Sequence, residues 1–248
     1  MRTAEGADPV AEEVPAEANL EVREDGRAAA KVAGSDGSLP IQSIVPLGEN
    51  ALMLDYANVT GRHLKMKGVS VYRACPLLYR ENGFDGNPWD NAVQYKRRIA
   101  ERAPSASTEG FEAAFRLAVD AVPARIRLAV EQGSRMRLEV NGMTLAPSPS
   151  GRWMDRAFAV YDVACALSAG ENELKLTAPV FDPLLELEPI YVLGDFSVMP
   201  CEAGFRISAG MPRLASGDWT NQGIALLRRA GGIRAGADRG RRTVARVQ

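Results

Sequence analysis

Histidine occurs once in this chain, at position 63, and cysteine three times, at 75, 165 and 201. One imidazole cannot build a His-paired metal site, and no Gly-x-Ser-x-Gly elbow supplies a nucleophile for it to activate. His63 is therefore expected at the surface or at an interface. The cysteines are far apart and include no Cys-x-x-Cys, which excludes a redox pair and a zinc knuckle. Buried free thiols in a reducing cytoplasm are the expectation. No apolar run approaches the roughly 18 residues of a membrane span, and no basic segment followed by an apolar core marks a leader. Neither a Gly-x-Gly-x-x-Gly nor a phosphate loop is present, and no loop has the carboxylate spacing of a calcium site. No cofactor or metal is expected. A formal net charge of −1 gives no reason to expect nucleic acid or an anionic membrane as partner.

That near-zero sum hides an asymmetry. Residues 1–25 hold eight acidic residues against two arginines, and residues 228–248 hold seven arginines against one aspartate. The acidic stretch to about residue 18 lacks periodicity and is expected to be disordered, as is the Gly-Arg-Ala sequence from 227 onward. An RNA-binding role for that tail is set aside, because no aromatic residue follows Trp219 to stack on bases. Leu20–Val22 and Ala30–Val32 flank Glu24-Asp25-Gly26 and suit a weak hairpin. Ile41–Val45 and Ala51–Tyr56 suit two strands, the end of a preceding domain.

From Gly68 to Gly83, Val71, Cys75 and Leu78 recur at helical spacing, with Gly83 as C-terminal cap and a kink or late start at Pro76. A second helix is expected from the Asn87-Pro88 start, with Trp89, Ala92, Val93, Lys96 and Ile99 on one side and a stop at Pro104. Its Lys96-Arg97-Arg98 run reads as a solvated face.

The β signal is concentrated between residues 111 and 207. Phe111, Ala113, Phe115, Leu117 and Val119 alternate with polar neighbours, and so do Ile126, Leu128 and Val130. Leu138–Val140 and Met143–Leu145 flank Asn141-Gly142, the pair that a type I′ hairpin turn requires, so Val140 faces Met143 and Leu138 faces Leu145. Phe158 and Val160 alternate towards Asp162. Gly170–Asn172 turns into Leu174 and Leu176, and Ile190–Leu193 is apolar on both faces, as a central strand is. Phe205–Ile207 is a further short strand. The fold class is mainly β, a β-sandwich. The expected division is 1–38 acidic and largely disordered or the end of another domain, 39–107 strands and a helical connector, 108–226 sandwich, and 227–248 tail.

Asn141-Gly142, Phe158, Asp162-Val163, Gly170-x-Asn172 and Leu174-x-Leu176 together resemble the galactose-binding-like jelly roll of the glycoside hydrolase family 2 superfamily. NALMLDY (50–56), NPWDNAVQYK (87–96), ELEPIYVLGDF (186–196) and DWTNQG (218–223) are similar to the C-terminal region of large bacterial glycoside hydrolases of the α-L-rhamnosidase type. The resemblance runs from about Leu39 to Gly223. It implies an accessory region whose catalytic barrel would precede Leu39, and whose partners would be carbohydrate or that barrel. Such proteins follow DWTNQG with an apolar, aromatic strand, whereas here Ile224–Leu227 passes into arginine-rich sequence. A fragment with an altered reading frame near Leu226 would account for this.

A glycosidase needs two carboxylates roughly 5 to 9.5 Å apart. Glu186 and Glu188, two apart on an expected strand, would share a face at about 7 Å. They are the best local catalytic pair, although solvent-facing or loop-fixing roles are the commoner fate of such residues. Asp155, Asp162 and Asp195 read as turn or strand-end residues that bond nearby amides. The Asn58-Val59-Thr60 triplet carries little weight. Trp153, Tyr161 and Trp219 are the candidates for carbohydrate contact, because aromatic faces stack on sugar rings, and all three types also fill sandwich cores. Three readings follow: a non-catalytic accessory module of a glycoside hydrolase, a free-standing lectin-like module, and a hydrolase using Glu186 and Glu188.

Overall fold

The computed structural model describes residues 18–22, 28–32, 38–46, 48–89, 101, 109–149, 151, 153–201, 204–212, 214, 220–225, 231–236 and 242–246. Three strands come first, β1 (Ala18–Val22), β2 (Ala28–Val32) and β3 (Ser38–Pro46). They are followed by β4 (Asn50–Leu54), β5 (Tyr56–Thr60), β6 (Lys65–Ser70) and helix α1 (Val71–Glu81). Then come β7 (Phe111–Val119), β8 (Ile126–Glu131), β9 (Arg137–Val140), β10 (Met143–Leu145), β11 (Phe158–Asp162) and β12 (Gly170–Ala178). The series closes with β13 (Ile190–Gly194), β14 (Phe196–Cys201), β15 (Gly204–Ala209), β16 (Gly231–Gly236) and β17 (Arg242–Arg246).

Residues 49–212 and 220–228 form one compact unit, a β-sandwich. Its larger sheet runs β10-β9-β12-β7-β15-β14, and β5 also pairs with β7 and carries β6. The smaller runs β11-β8-β13-β4. All pairings are antiparallel except the short parallel contact of β15 with β7. Alternation decides which side chains meet: Phe115, Leu117, Leu138, Leu174 and Leu176 of the larger sheet share one core with Leu128, Val130, Ile190 and Val192 of the smaller.

The unit begins before residue 108, because the stretch read as one strand, Ala51–Tyr56, is two. The chain changes sheet at Asp55, whose carbonyl accepts the Val71 N–H at 2.8 Å. The preceding residues pair with β13 and the following ones with β7. Thus β4, β5, β6 and α1 belong to the sandwich. Helix α1 starts at Val71 and runs through Pro76, so the late start is not taken. Its end is a Schellman motif: Phe84 N–H donates to the Tyr79 carbonyl at 3.1 Å and Gly83 N–H to that of Arg80 at 3.0 Å, with Gly83 at φ 87°. The hydrophobic contact that accompanies such ends is Phe84 edge-on to Tyr79, with 5.5 Å between centroids.

Two carboxamides and one carboxylate hold the loops. Asn50 is fully buried; its Nδ2 donates to the carbonyls of Phe196 and Gly223, and its Oδ1 accepts from Ala51 and Ala225. Asn172 donates to the Ser168 and Gly170 carbonyls and accepts from the Ser168 N–H and from Asn141 Nδ2. The Glu81 carboxylate accepts three successive backbone N–H groups, of Arg62, His63 and Leu64, at 2.9–3.1 Å.

The other unit, residues 1–48, 213–219 and 229–248, contains a five-stranded sheet ordered β1-β2-β3-β16-β17. The two strands expected on either side of Glu24–Gly26 pair antiparallel, with Leu20 opposite Ala30, and the turn itself lies outside the described residues. Within the tail read as structureless, Gly231–Gly236 pairs with β3 and Arg242–Arg246 with β16. A Gly-Arg-Ala sequence gives no apolar alternation to signal a strand, but ladder formation needs only backbone donors and acceptors. The expected disorder before residue 18 and the Lys96–Arg98 helix face lie outside the described residues. At its start, Asn87 Oδ1 accepts the Trp89 N–H at 3.0 Å, the bond an N-cap makes.

Candidate functional site

The smaller sheet has a second face, turned away from the main core. Pairing registers place Ala51 and Met53 of β4, Arg127, Ala129 and Glu131 of β8, Phe158, Val160 and Asp162 of β11, and Tyr191 and Leu193 of β13 on it. The loop between β10 and β11 folds onto this face. Ser148 N–H donates to the Val160 carbonyl at 2.7 Å, Ser148 Oγ to Asp162, and a Cβ on Gly151 would lie 2.8 Å from Val160 Cβ. The loop lays Trp153 over Ala51, Ala129, Val160 and Leu193 in a small second core. Alanine at 51 and 129 leaves the room an indole needs.

Three rings meet there. Trp153 lies 4.6 Å from Tyr191 and 5.0 Å from Phe158, and Phe158 lies 6.0 Å from Tyr191, centroid to centroid. Trp153 is only 3% exposed, whereas Phe158 and Tyr191 are half-buried at the edge of the cluster. Met53, opposite Tyr191 in the register, is 41% exposed, and Tyr72 on α1 is 54% exposed.

Acids rim the rings. Burial pushes the Glu131 carboxyl up, and the charges of Glu186 and Asp155 push it further. The Tyr191 phenol is raised by burial and then by Glu188 and Glu131, and that of Tyr72 by burial and then by Glu188, Tyr191 and Asp55. Glu186 and Glu188 therefore sit near the aromatic cluster. They are not on a strand: Pro183 and Pro189 flank them and supply no ladder N–H, so Leu184–Pro189 is a loop. Within it Leu185 and Leu187 are buried and the two glutamates half-buried. Glu186 accepts a hydrogen bond from Asn87 Nδ2 at 2.9 Å.

Of the expected carbohydrate contacts, Trp153 reaches this face as the support beneath Tyr191 and Phe158, its own ring covered. Tyr161 lies on the opposite side of β11, 1% exposed in the main core, where burial raises its phenol to about 12. Its ring is closed to a ligand. Trp219 lies outside the described residues. Sequence reasoning missed Tyr191, Phe158, Glu131 and Tyr72. The signal was within Ile190–Leu193: a strand apolar on both faces has two packed faces, and the tyrosine belongs to the second.

Other expectations are modified. Only Cys75 is buried; Cys165 is exposed and Cys201 half-buried. Asp155 bonds a nearby amide, of Ala157, but Asp162 accepts from the Ser148 hydroxyl and Asp195 forms a two-bond pair with Arg125 at 2.6 and 2.7 Å. Asn58 Oδ1 accepts the Gly68 N–H, and His63 is exposed. A cleft of about 430 Å³ lies between Glu49, Arg125, Arg127 and Asp162, with Arg127 paired to Glu49 at 2.6 Å. Another of about 430 Å³ is lined by Tyr56, Lys67 and Arg73, and a third of about 340 Å³ by Arg135, Phe181 and Asp182. Neither Glu186 nor Glu188 lines any of these three. Among the described residues no helix is long and apolar enough to cross a membrane. In comparison with known proteins, no family model, no curated protein and no solved structure matches this chain.

Proposed function

We propose that the chain is a non-catalytic accessory module of a glycoside hydrolase, one that contacts glycan weakly or buttresses a catalytic domain. The observation that carries the glycan-binding side is the cluster of Tyr191, Phe158 and Trp153 on the outer face of the smaller sheet, two rings half-open and the third wedged beneath them. Aromatic faces held rigid by packing, with carboxylates beside them to accept hydroxyl protons, have the chemistry of sugar recognition. The resemblance of Asn50–Tyr56, Glu186–Phe196 and the Asn-Gly…Gly-Glu-Asn pattern to glycosidase accessory regions supports the same reading. So does the engagement of Glu186 by Asn87, which gives that acid a loop-fixing role. With its cysteines as free thiols, the module is proposed to work in a reducing compartment, the cytoplasm.

Titration of the full chain with neutral and charged oligosaccharides, by calorimetry, tests this. Binding in the high-micromolar to millimolar range, weakened in Tyr191→Ala, is expected; no heat with any glycan leaves only the buttressing role.

One observation favours a hydrolase instead. Glu131 is a half-buried acid held protonated more readily than usual beside Glu186, the arrangement of a general acid next to a carboxylate. Turnover of aryl glycosides that disappears in Glu131→Gln and Glu186→Gln would establish it.

A further inference from the structure

The cleft of about 430 Å³ between Glu49, Arg125, Arg127 and Asp162 lies at one end of the smaller sheet, and its volume is within the roughly 300–1,000 Å³ of small-molecule sites. Asp162 of β11 stands in the register directly opposite Arg127 of β8. Each charged side chain is fixed by a contact on one side only. Arg127 Nη2 donates to Glu49 Oε2 at 2.6 Å, Arg125 donates through Nε and Nη2 to Asp195, and the Ser148 hydroxyl donates to Asp162 Oδ2 at 2.7 Å. Among the described residues, Glu49 Oε1, Asp162 Oδ1, Arg125 Nη1 and Arg127 Nη1 take no further bond. Orientation is set while donors and acceptors both remain open. The wall is fastened as well. Asp195 N–H donates to the Arg125 carbonyl at 3.1 Å, and Gly194 lets the two segments touch, since a Cβ there would lie 2.2 Å from that oxygen.

Charge balance decides what such a cleft takes. Both guanidiniums are matched by carboxylates, so an anion finds no uncompensated cation. A cation approaching Asp162 meets Arg127 in the same row. We propose that the cleft binds an uncharged sugar through adjacent hydroxyls, which donate to Glu49 Oε1 and Asp162 Oδ1 and accept from the free guanidinium N–H groups. Hydrogen bonds to ionised groups are roughly twice as strong as neutral ones, so a ligand without charge still gains from charged partners. Ala124 and Ala164 line the same cleft and supply apolar surface for the C–H edge of the ring. This inference rests on the accessory-module reading, and adds to it a ligand class and a second point of contact apart from Tyr191.

The test is calorimetric titration of the full chain at pH 7 with neutral tetramers of glucose, galactose and mannose, and with galacturonate and glucosamine tetramers. At least one neutral tetramer is expected to bind more tightly than either charged one, with an affinity that 0.5 M salt leaves unchanged. Glu49→Ala and Asp162→Ala, checked for folding by circular dichroism, are each expected to weaken it about ten-fold. In the unsubstituted chain, the same tetramer should shift the amide resonances of Ala164 and Gly194, a readout that does not depend on the variants folding. Tighter binding of a charged tetramer would overturn the neutral class. Binding that leaves those amides unmoved, or that survives both substitutions while falling in Tyr191→Ala, would overturn the cleft and leave the glycan-binding module standing. Binding of no tetramer would overturn both.

Discussion

Asn141 Nδ2 donates to Asn172 Oδ1 across 2.7 Å, joining the Asn-Gly turn of one hairpin to the start of β12, where Gly170–Asn172, expected as a turn, is already paired with β7. The backbone fits: Asn141 and Gly142 have φ of 50° and 81°, as a type I′ turn requires. Asn141 Oδ1 accepts the Glu173 N–H at 3.0 Å, while Asn172 Nδ2 reaches the Ser168 and Gly170 carbonyls. Because Asn172 is buried, Asn172→Ala leaves these groups without partners, and about 2–4 kcal/mol of stability should be lost. Asn172→Asp should cost a similar amount, because a carboxylate cannot donate to two carbonyls. Urea unfolding of the single and double variants with Asn141→Ala should give a coupling of about 1 kcal/mol or more; strict additivity would show that the turn and the start of β12 are independent.

A second long-range tie is Asn50. Its amide donates to the carbonyls of Phe196 and Gly223, and its oxygen accepts from Ala51 and Ala225, so every hydrogen-bonding position it has is filled. Three segments far apart in the sequence thus converge on one carboxamide. Asn50→Leu, similar in volume but without polar atoms, should lower stability by about 2–4 kcal/mol. Hydrogen exchange should show faster exchange at Ala225 and Val198, whose N–H groups bond Asn50 and Gly223. Unchanged protection there would contradict the assignment.

Glu81 gathers the N–H groups of residues 62–64, and Gly61 leaves room for it: a Cβ at Gly61 would lie 1.8 Å from Glu81 Oε1. Glu81→Ala should therefore destabilise by about 2 kcal/mol. Gly61→Ala should displace the carboxylate and cost a similar amount. The double variant should be no worse than the sum, and better if the displaced carboxylate is itself the source of strain. Thermal denaturation of the three variants measures this.

Alternation between residues 111 and 207 made the sandwich legible, because a half-buried sheet imposes a period of two on its sequence. The Asn-Gly turn and the Gly83 helix end were legible for similarly local reasons. What the sequence left dark depends on non-local partners. The change of sheet at Asp55 has no turn residue to announce it, being set by β7 and β13 on either side. Helix α1 begins after Ser70, an N-cap whose side chain makes no capping bond, and it tolerates Pro76 within it. The second face of β13 was hidden because Tyr191 and Leu193 look like core residues. They are core residues, but of the small cluster under Trp153, and the acids beside them come from another strand and two loops.

Tyr161 provides a pH test of the main core. Burial raises its phenol from 10.0 to about 12, so the folded state holds its proton where the unfolded chain releases it. Its contribution is complete below pH 10 and is lost as the pH climbs towards 12, at most about 3 kcal/mol. Tyr161→Phe keeps the ring and removes the titration. Its stability relative to the parent should therefore rise between pH 10 and 12, as measured by urea midpoints. A parallel pH dependence of the two proteins would place the phenol in solvent.

Glu131 behaves oppositely to a carboxylate that stabilises a fold. Burial first, then Glu186 and Asp155, raise its folded pKa above the usual 4.5, so its protonated form favours the folded state and its ionised form opposes it. That contribution is present below pH 4.5 and is lost as the pH rises through the folded value. Glu131→Gln should thus be more stable than the parent at pH 7, with the difference vanishing below pH 4.5. If Glu131→Gln is destabilised at pH 7, the carboxylate has a cationic partner in the folded protein.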